Sequence, residues 1–335
     1  MVGKAVTMRD VADAAGVSRT LVSLVLNEST SVTVAEETRA RILALATDLG
    51  YRPNATARAL AHQRSDYYGV LTEIVTDPFA VDIIVGAQGA ALSHGKHILL
   101  ASAQADPAAE RAELERLLVQ RIEGLIYGAA WHRAVEVPDL AREVPTVLVN
   151  CFDAEGRFPA IVPDEHLGGL RATERLLAAG HRRIGLVNID DEIPAAIGRR
   201  RGYQEALRRA DIVIDENLEA CAEAMADGGY EAAGALLDLP EPPTALFCAN
   251  DRMAMGAYDA IKERGLRIPT DVAVIGFDNQ EVISAFLRPS LTTVALPFDK
   301  MGAMGVDLLA RISAGEPTST KTVMVDCPLL ERSSV

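Results

Sequence analysis

Polar and aromatic side chains follow several apolar runs in the larger, C-terminal part of the chain. The runs YYGVLTEIV, GLIYGA, RIGLVN, TALFCA and VAVIGF lead, in chain order, to Asp77 and Phe79, Trp131, Arg199, Asn250 and Asp278. Carboxylate, amide and guanidinium groups form hydrogen bonds with polar ligands, and aromatic rings stack on them. Together they predict a binding site for one small polar molecule. Each also has a plainer interpretation, since Asn250 suits a helix cap and Arg199, within Arg-Arg-Arg, suits a solvated surface.

A second feature lies near the N-terminus, where Arg19 and Thr20 follow Gly16-Val17-Ser18. Gly16 accepts the backbone angles of a tight reversal and Ser18 is a good helix N-cap, so we predict helices over about 8–15 and 19–26. This helix-turn-helix places the start of its second helix in a major groove, where Arg19 can bind guanine and Thr20 a base edge. From spacing alone, a small three-helix bundle with Arg19 as a surface charge is the alternative. A third helix is predicted over about 36–49.

The motifs of common catalytic and metal sites are absent from the sequence. It contains no GxSxG, HExxH, GxxxxGK or strand-following GxGxxG pattern, and its six histidines lack metal-ligand spacing. The cysteines are scattered without a CxxC pair, which is typical of reduced thiols in the cytoplasm. We therefore expect no enzyme activity, no metal ion and no cofactor.

The elements that must position these residues alternate between strands and helices from Tyr68 onward. Such alternation predicts doubly wound parallel sheets, and about seven strands fit two lobes better than one. Ligands of such sheets bind beyond the carboxyl ends of the strands. The predicted fold class is an all-α helix-turn-helix head followed by an α/β two-lobed domain.

Charge is distributed unevenly between these parts. Residues 1–64 carry eight basic and six acidic side chains, for a net charge of +2, whereas the remainder carries −16. The mildly basic head and acidic body suggest that contact with nucleic acid is confined to the head. The charged N-terminal stretch MVGKAVTMRDVADAAG lacks the apolar region of a signal peptide, and no run of roughly 18 apolar residues occurs, so we expect a cytoplasmic protein without membrane contact.

The stretches VTMRDVADAAGVSRTLVSLVLN and TRARILALATDLGYRPNATARALA resemble the DNA-binding head of the lactose/galactose repressor (LacI/GalR) family. The resemblance covers nearly all of residues 6–64 and implies that Arg19 and Thr20 read bases. It also implies contacts with phosphates or neighbouring backbone from Thr7, Ser18, Ser23, Asn27, Thr38, Tyr51 and Asn54. Leu21 and Leu24 stand where the family usually has Thr and Arg. Because Leu24 cannot donate a hydrogen bond to a base, we expect Arg19 to make a larger share of the base-specific contacts.

Residues 52–64 form a short alanine-rich hinge that would not be a stable helix alone. The same resemblance implies that the hinges of two subunits pair in the minor groove, with Ala57 at the DNA and Leu60 inserted between central base pairs. Such an insertion costs a few kcal/mol because it unstacks two base pairs, and it bends the DNA so that more of the duplex contacts the protein. The alternative is that Leu60 is an ordinary linker residue.

The stretches GRRRGY, CANDRMAMGAYDAIKERGLRIPTDVAVIGFDN and SLTTV resemble the effector domain of the same family, which is itself similar to periplasmic sugar-binding proteins. The implied effector-binding residues are Asp77, Phe79, Arg199, Asn250 and Asp278, to which we add Trp131. Ala224 and Leu296 replace an aromatic and a polar residue of many relatives, and Glu165 replaces an Asn. A sugar or sugar derivative is the favoured effector; a nucleoside, a purine or an amine is the alternative.

The predicted protein is a transcriptional repressor that binds a near-palindromic DNA operator as a homodimer and responds to a small-molecule effector. The predicted domains are the head at 1–51, the hinge at 52–64 and the effector domain at 65–335, with a first lobe at about 65–163 and 294–320 and a second lobe at about 164–292 and 321–335. A periplasmic-type binding protein would explain residues 65–335 equally well, but not the head.

Overall fold

The structure is a computed structural model that describes residues 6–26, 34–51, 65–73, 78–104, 106–190 and 192–335. The chain divides into two compact units, Met1–Ser65 and Asp66–Val335. No helix within the described residues is both long enough and apolar enough to cross a membrane.

The first unit contains the helices α1 (Met8–Ala15), α2 (Arg19–Leu26) and α3 (Glu36–Asp48). Thr7 and Asp10 form a capping box at the start of α1, because the backbone N–H of Thr7 donates to the Asp10 carboxylate at 2.7 Å. Gly16 ends the helix at φ +66, which glycine adopts without steric cost. The three helices bury one small core, made of Val11, Ala12, Ala15, Val22, Val25, Ile42 and Ala46. The predicted helix-turn-helix is confirmed.

The first lobe of the second unit is built on a six-stranded sheet with the order β11-β5-β4-β3-β1-β2, all of whose recorded pairs are parallel. Its strands are β1 (Tyr67–Thr72), β2 (His97–Ser102), β3 (Leu125–Val135), β4 (Thr146–Asp153), β5 (Ala160–Pro163) and β11 (Thr322–Val325). Its helices are α4 (Pro78–Ser93), α5 (Pro107–Val119) and α11 (Phe298–Ser313). Separate apolar clusters cover the two faces of the sheet, as a doubly wound arrangement requires.

The second lobe repeats this architecture with the strand order β12-β10-β9-β8-β6-β7. Its strands are β6 (Ile184–Ile189), β7 (Glu219–Ala222), β8 (Ala245–Cys248), β9 (Ala273–Asp278), β10 (Thr292–Ala295) and β12 (Leu329–Leu330), the last being antiparallel. Its helices are α6 (Glu165–Ala178), α7 (Pro194–Arg209), α8 (Ala226–Leu237), α9 (Asp251–Glu263) and the short α10 (Glu281–Ser284). The predicted pair of doubly wound sheets is confirmed.

The points at which the chain changes lobes differ from the prediction near the C-terminus. Thr322–Val325 pairs with β5 in the first sheet, so the final crossing follows Val325, whereas the predicted boundary was residue 320. Thr292–Ala295 pairs with β9 throughout, so the preceding crossing lies after residue 295 instead of at 294. The final crossing is set by strand pairing across more than 150 residues, between β11 and β5, which local sequence does not encode.

Candidate functional site

The start of α2 presents an exposed polar surface. The backbone N–H of Leu21 donates to the Ser18 hydroxyl at 3.2 Å, which caps the helix. Ser18, Arg19 and Thr20 are exposed, while Val22 on the same helix is fully buried. This arrangement leaves the Arg19 and Thr20 side chains available to the edges of bases in a groove.

The other predicted DNA contacts fall into two groups. Thr7 is exposed, and Ser23, Thr38 and Tyr51 are partly buried, with Tyr51 packed against the head core. The Thr7 hydroxyl already donates to the Asp10 carboxylate at 2.7 Å, so a phosphate would compete with the helix cap. The remaining predicted contacts lie outside the described residues: Asn27, Asn54, Ala57 and Leu60.

A pocket with an empty volume of about 330 Å³ lies between the two sheets of the second unit. Strands β3 and β4 of the first lobe contribute one wall, and the ends of β8 and β9 with helices α6 and α7 contribute the other. The lining residues are Ala130, Trp131, His132, Asn150, Glu165, Ile189, Ala195, Arg199, Asn250, Asp278, Leu296 and Phe298. The structure therefore brings together Trp131, Arg199, Asn250 and Asp278 of the predicted set. Asp77 and the Phe79 side chain lie outside the described part of the chain.

Arg199, on α7, is the centre of a buried network in this pocket. Its side chain is 4% exposed, and its Nε donates to the Glu165 carboxylate at 2.8 Å. One terminal nitrogen donates to the carbonyl of Ala249, the other lies 3.5 Å from Asp278, and the guanidinium stacks 3.8 Å from the Phe277 ring centre. Although burial opposes ionisation, Arg199 and His132 hold the pKa of Glu165 below its ordinary value. Glu165 is therefore an anion paired with Arg199.

Asp278 ends β9 with a left-handed backbone angle, φ +105, which turns the chain sharply at the pocket. Its carboxylate is 5% exposed, and its nearest recorded donors, Arg199 and Gln280, lie at the long distance of 3.5 Å. Burial raises the pKa of Asp278 to about 7; Arg199 opposes this shift and the negative charge of Glu165 adds to it. Near neutral pH this carboxyl group is thus poised between its two protonation states.

Asp278→Asn is expected to remove a component of the pH dependence of stability. Between the ordinary pKa of 3.8 and about 7, the folded chain holds a proton on Asp278 that the unfolded chain has lost. Stability from this group is therefore complete below pH 4 and falls as pH rises toward 7, by up to about 1.4 kcal/mol per pH unit. Denaturant titrations between about pH 4 and pH 8 measure it. Parallel profiles for the wild type and the variant would contradict the assignment.

Asn250 caps a helix, as one interpretation of the sequence predicts, and it also lines the pocket. Its Oδ1 accepts the backbone N–H of Met253 at 2.7 Å, which caps α9, and its Nδ2 donates to the carbonyl of Ala224 at 3.0 Å. The adjacent Asp251 is completely buried and accepts from the Thr293 hydroxyl at 2.6 Å and from the backbone N–H of Gln280 at 2.8 Å. These contacts fix the loop ends that form the pocket wall.

Sequence reasoning missed His132, Asn150 and Phe298 as lining residues, and treated Glu165 only as a departure from the family pattern. His132 approaches from the first lobe, where its Nδ1 lies 3.4 Å from the Glu165 carboxylate and makes no hydrogen bond among the described residues. Asn150 follows the predicted strand TVLVN, so its position at a strand end was a usable signal. For His132, no comparable signal exists in the local sequence.

Comparison with protein families gives two matches. Residues 7–54 match the model for bacterial regulatory proteins of the lacI family, and residues 173–335 match the periplasmic binding protein-like domain. The first covers the helix-turn-helix, and the second covers most of the second lobe and the C-terminal part of the first.

Full-length relatives and solved structures agree with these matches. The chain is 33% identical to the HTH-type transcriptional repressor CytR of Escherichia coli K12 over 98% of this chain and 96% of that protein. It is 32% identical to the ribose operon repressor of the same strain, over 98% and 99%. The lac repressor dimer bound to operator and the anti-inducer ONPF is 29% identical with a TM-score of 0.83, covering 99% of each chain. The chain belongs to the lacI family of bacterial regulatory proteins.

Proposed function

We propose that this chain represses transcription as a homodimer whose affinity for operator DNA depends on a small polar effector in the pocket between its lobes. The main observation in support is that Trp131, Arg199 and Asp278, which come from separate parts of the chain, line one pocket. As a member of the lacI family the chain is a DNA-binding transcriptional regulator. The relatives named above are repressors, which supports regulation over catalysis.

A sugar or sugar derivative suits this pocket best. The described lining residues include two carboxyl groups, Glu165 and Asp278, and two amides, Asn150 and Asn250. Carboxylate and amide groups suit hydroxyls, and Trp131, 37% exposed, offers a ring on which a sugar face can stack. The ribose operon repressor among the relatives supports the same class.

Effector binding changes DNA affinity only if the effector prefers one arrangement of the lobes. The pocket provides that preference, because His132 belongs to the first lobe while Glu165 and Arg199 belong to the second. We propose that a ligand between them alters lobe closure and that this change is transmitted to the two heads of the dimer. The hinge residues 52–64 lie outside the described part of the structure.

The effector test is a thermal-shift screen of sugars, polyols and nucleosides, repeated with Asp278→Asn. A ligand that binds only the folded state raises the unfolding midpoint, and the midpoint increases further as the ligand concentration is raised. A compound that stabilises the wild type, fails with the variant and changes operator affinity supports the proposal. A stabilising compound that acts equally on both proteins places the effector elsewhere.

Arg19→Ala is expected to weaken binding to an operator selected from random duplexes by about 1–3 kcal/mol per half-site, because a guanine loses its bidentate partner. Arg41→Ala, an exposed charge on α3, is the control and should retain sequence preference. Fluorescence anisotropy at constant salt, against selected and scrambled duplexes, separates the two effects. Equal loss on both duplexes with Arg19→Ala would show a phosphate contact instead.

A second copy of this chain is proposed to cover the exposed apolar side chains of two elements of the second unit, α4 and the segment around α10. Val81, Val85 and Leu92 lie along one side of α4 and are 47%, 60% and 55% exposed; Val282 and Phe286 at α10 are 77% and 67% exposed. Such side chains mark interfaces when they are clustered. The lac repressor structure, which aligns with 99% of this chain at 29% identity, is a dimer, and this supports a second copy as the occupant. Light scattering at micromolar concentration is expected to give a dimer, and Val85→Glu a monomer.

A further inference from the structure

We infer that the effector carries a positive charge and belongs to the hydroxylated amines, such as amino sugars and iminosugars. The inference rests on the proposed effector site and narrows the class of ligand that it binds. Its basis is an imbalance of buried charge among the described residues that line the pocket.

The imbalance consists of two carboxylates facing one guanidinium. The side chains of Glu165, Arg199 and Asp278 are 4%, 4% and 5% exposed. Glu165 accepts a 2.8 Å hydrogen bond from Arg199 and so neutralises it. Asp278 lies 3.5 Å from the same guanidinium, whose other donors engage Glu165 and the Ala249 carbonyl. Asp278 therefore shares with Glu165 a single guanidinium, which lies closer to Glu165.

A buried carboxylate without a close donor is unfavourable, and a ligand can supply what the protein omits. An ammonium group donates hydrogen bonds and compensates the charge of Asp278, whereas a hydroxyl group supplies only the hydrogen bond. The other basic groups in the neighbourhood are already directed elsewhere: His132 faces Glu165, and Arg252 donates to Gln280 at 3.2 Å. The charge of Arg252 reaches Asp278 and opposes the rise in its pKa, but burial outweighs it.

The remaining lining residues fit a cation as well. Trp131 and Phe298 contribute aromatic rings to the pocket, and such rings attract cations that lie over their faces. Anionic effectors, such as sugar phosphates and carboxylates, are disfavoured because no described lining residue offers an uncommitted, permanently positive side chain.

A cationic effector also predicts the direction of a pH effect on affinity. Burial holds the pKa of Asp278 at about 7 in the unliganded protein, with Glu165 adding to the shift, and an ammonium favours the ionised carboxylate. Binding of an amine that stays protonated should therefore release a proton near neutral pH and tighten as pH rises from about 6 to 8. A neutral sugar should show the reverse trend or none.

Matched ligand pairs test the inference by calorimetry on the full chain: D-ribose with 1,4-dideoxy-1,4-imino-D-ribitol, and D-glucose with D-glucosamine. At about pH 7 we expect at least one amine to bind roughly tenfold or more tightly than its neutral match, with proton release measured in buffers of different ionisation enthalpy. Asp278→Asn and, separately, Glu165→Gln should abolish that preference, while the exposed Asp259→Asn preserves it.

Each alternative outcome has a defined meaning. If a neutral sugar binds as tightly as its amine, or neither amine binds, the charge inference is overturned. The proposed effector site would still be supported in that case if a neutral sugar bound to the wild type and its binding were lost in Asp278→Asn. If a ligand of either class binds equally to the wild type and both pocket variants, the proposed site fails as well.

Discussion

Arg199→Ala is expected to lower the free energy of unfolding by about 3–5 kcal/mol and to abolish the effector response. Removing one member of a buried ion pair leaves the other as an uncompensated charge, which costs far more than the pair contributes when intact. Here the loss exposes two carboxylates, Glu165 and Asp278, to each other without the guanidinium between them. It also removes the contact with the Phe277 ring. Denaturant titration at neutral pH measures the change.

Arg201→Ala is the matched control for this prediction. Arg201 lies two residues further along α7 and is exposed, so its removal should change stability by less than about 0.5 kcal/mol. The cost of Arg199→Ala should shrink as pH falls, because both orphaned carboxylates can then take up protons. An equal cost for the two variants, or a cost independent of pH, would show that the Glu165–Arg199–Asp278 network is not a source of stability.

The Arg-Arg-Arg run shows what sequence reasoning could and could not reach in the pocket. The three side chains differ completely in the structure: Arg199 is buried, Arg200 binds Glu219 at the surface and Arg201 is exposed. Composition treats them as equal, and Arg199 was singled out by its place after the run RIGLVN and by the family resemblance. Helical geometry then accounts for the contrast, since successive residues on a helix point about 100° apart.

Features set by nearby residues were predictable, whereas those set by distant ones were not. The bounds of α1 and α2 depend on residues within one helical turn, and both agree with the prediction. Glu165 pairs with a residue 34 positions away, and His132 reaches it from the other lobe. The local sequence around Glu165 contains no sign of either approach.

Gly256→Ala is expected to destabilise the second lobe by about 3 kcal/mol or more, because α8 and α9 pack backbone to backbone at this position. A Cβ built on Gly256 would lie 1.8 Å from the carbonyl oxygen of Ala226, and one on Gly229 would lie 2.2 Å from that of Met253. These neighbours are main chain and cannot rotate away, so the helices must separate and the core beneath them must loosen. Effector affinity should fall too, since Asn250 and Asp251 begin α9 at the pocket.

Gly234→Ala separates this effect from the general cost or benefit of replacing a helical glycine. Gly234 lies on α8, but a Cβ there would meet only the end of the Arg264 side chain at 3.1 Å, which can move. Alanine also favours the helix by up to about 1 kcal/mol. We therefore expect Gly234→Ala to be close to neutral, while Gly229→Ala is destabilising like Gly256→Ala. If all three variants changed the unfolding midpoint alike, close backbone packing of α8 and α9 would not be what holds this wall of the pocket in place.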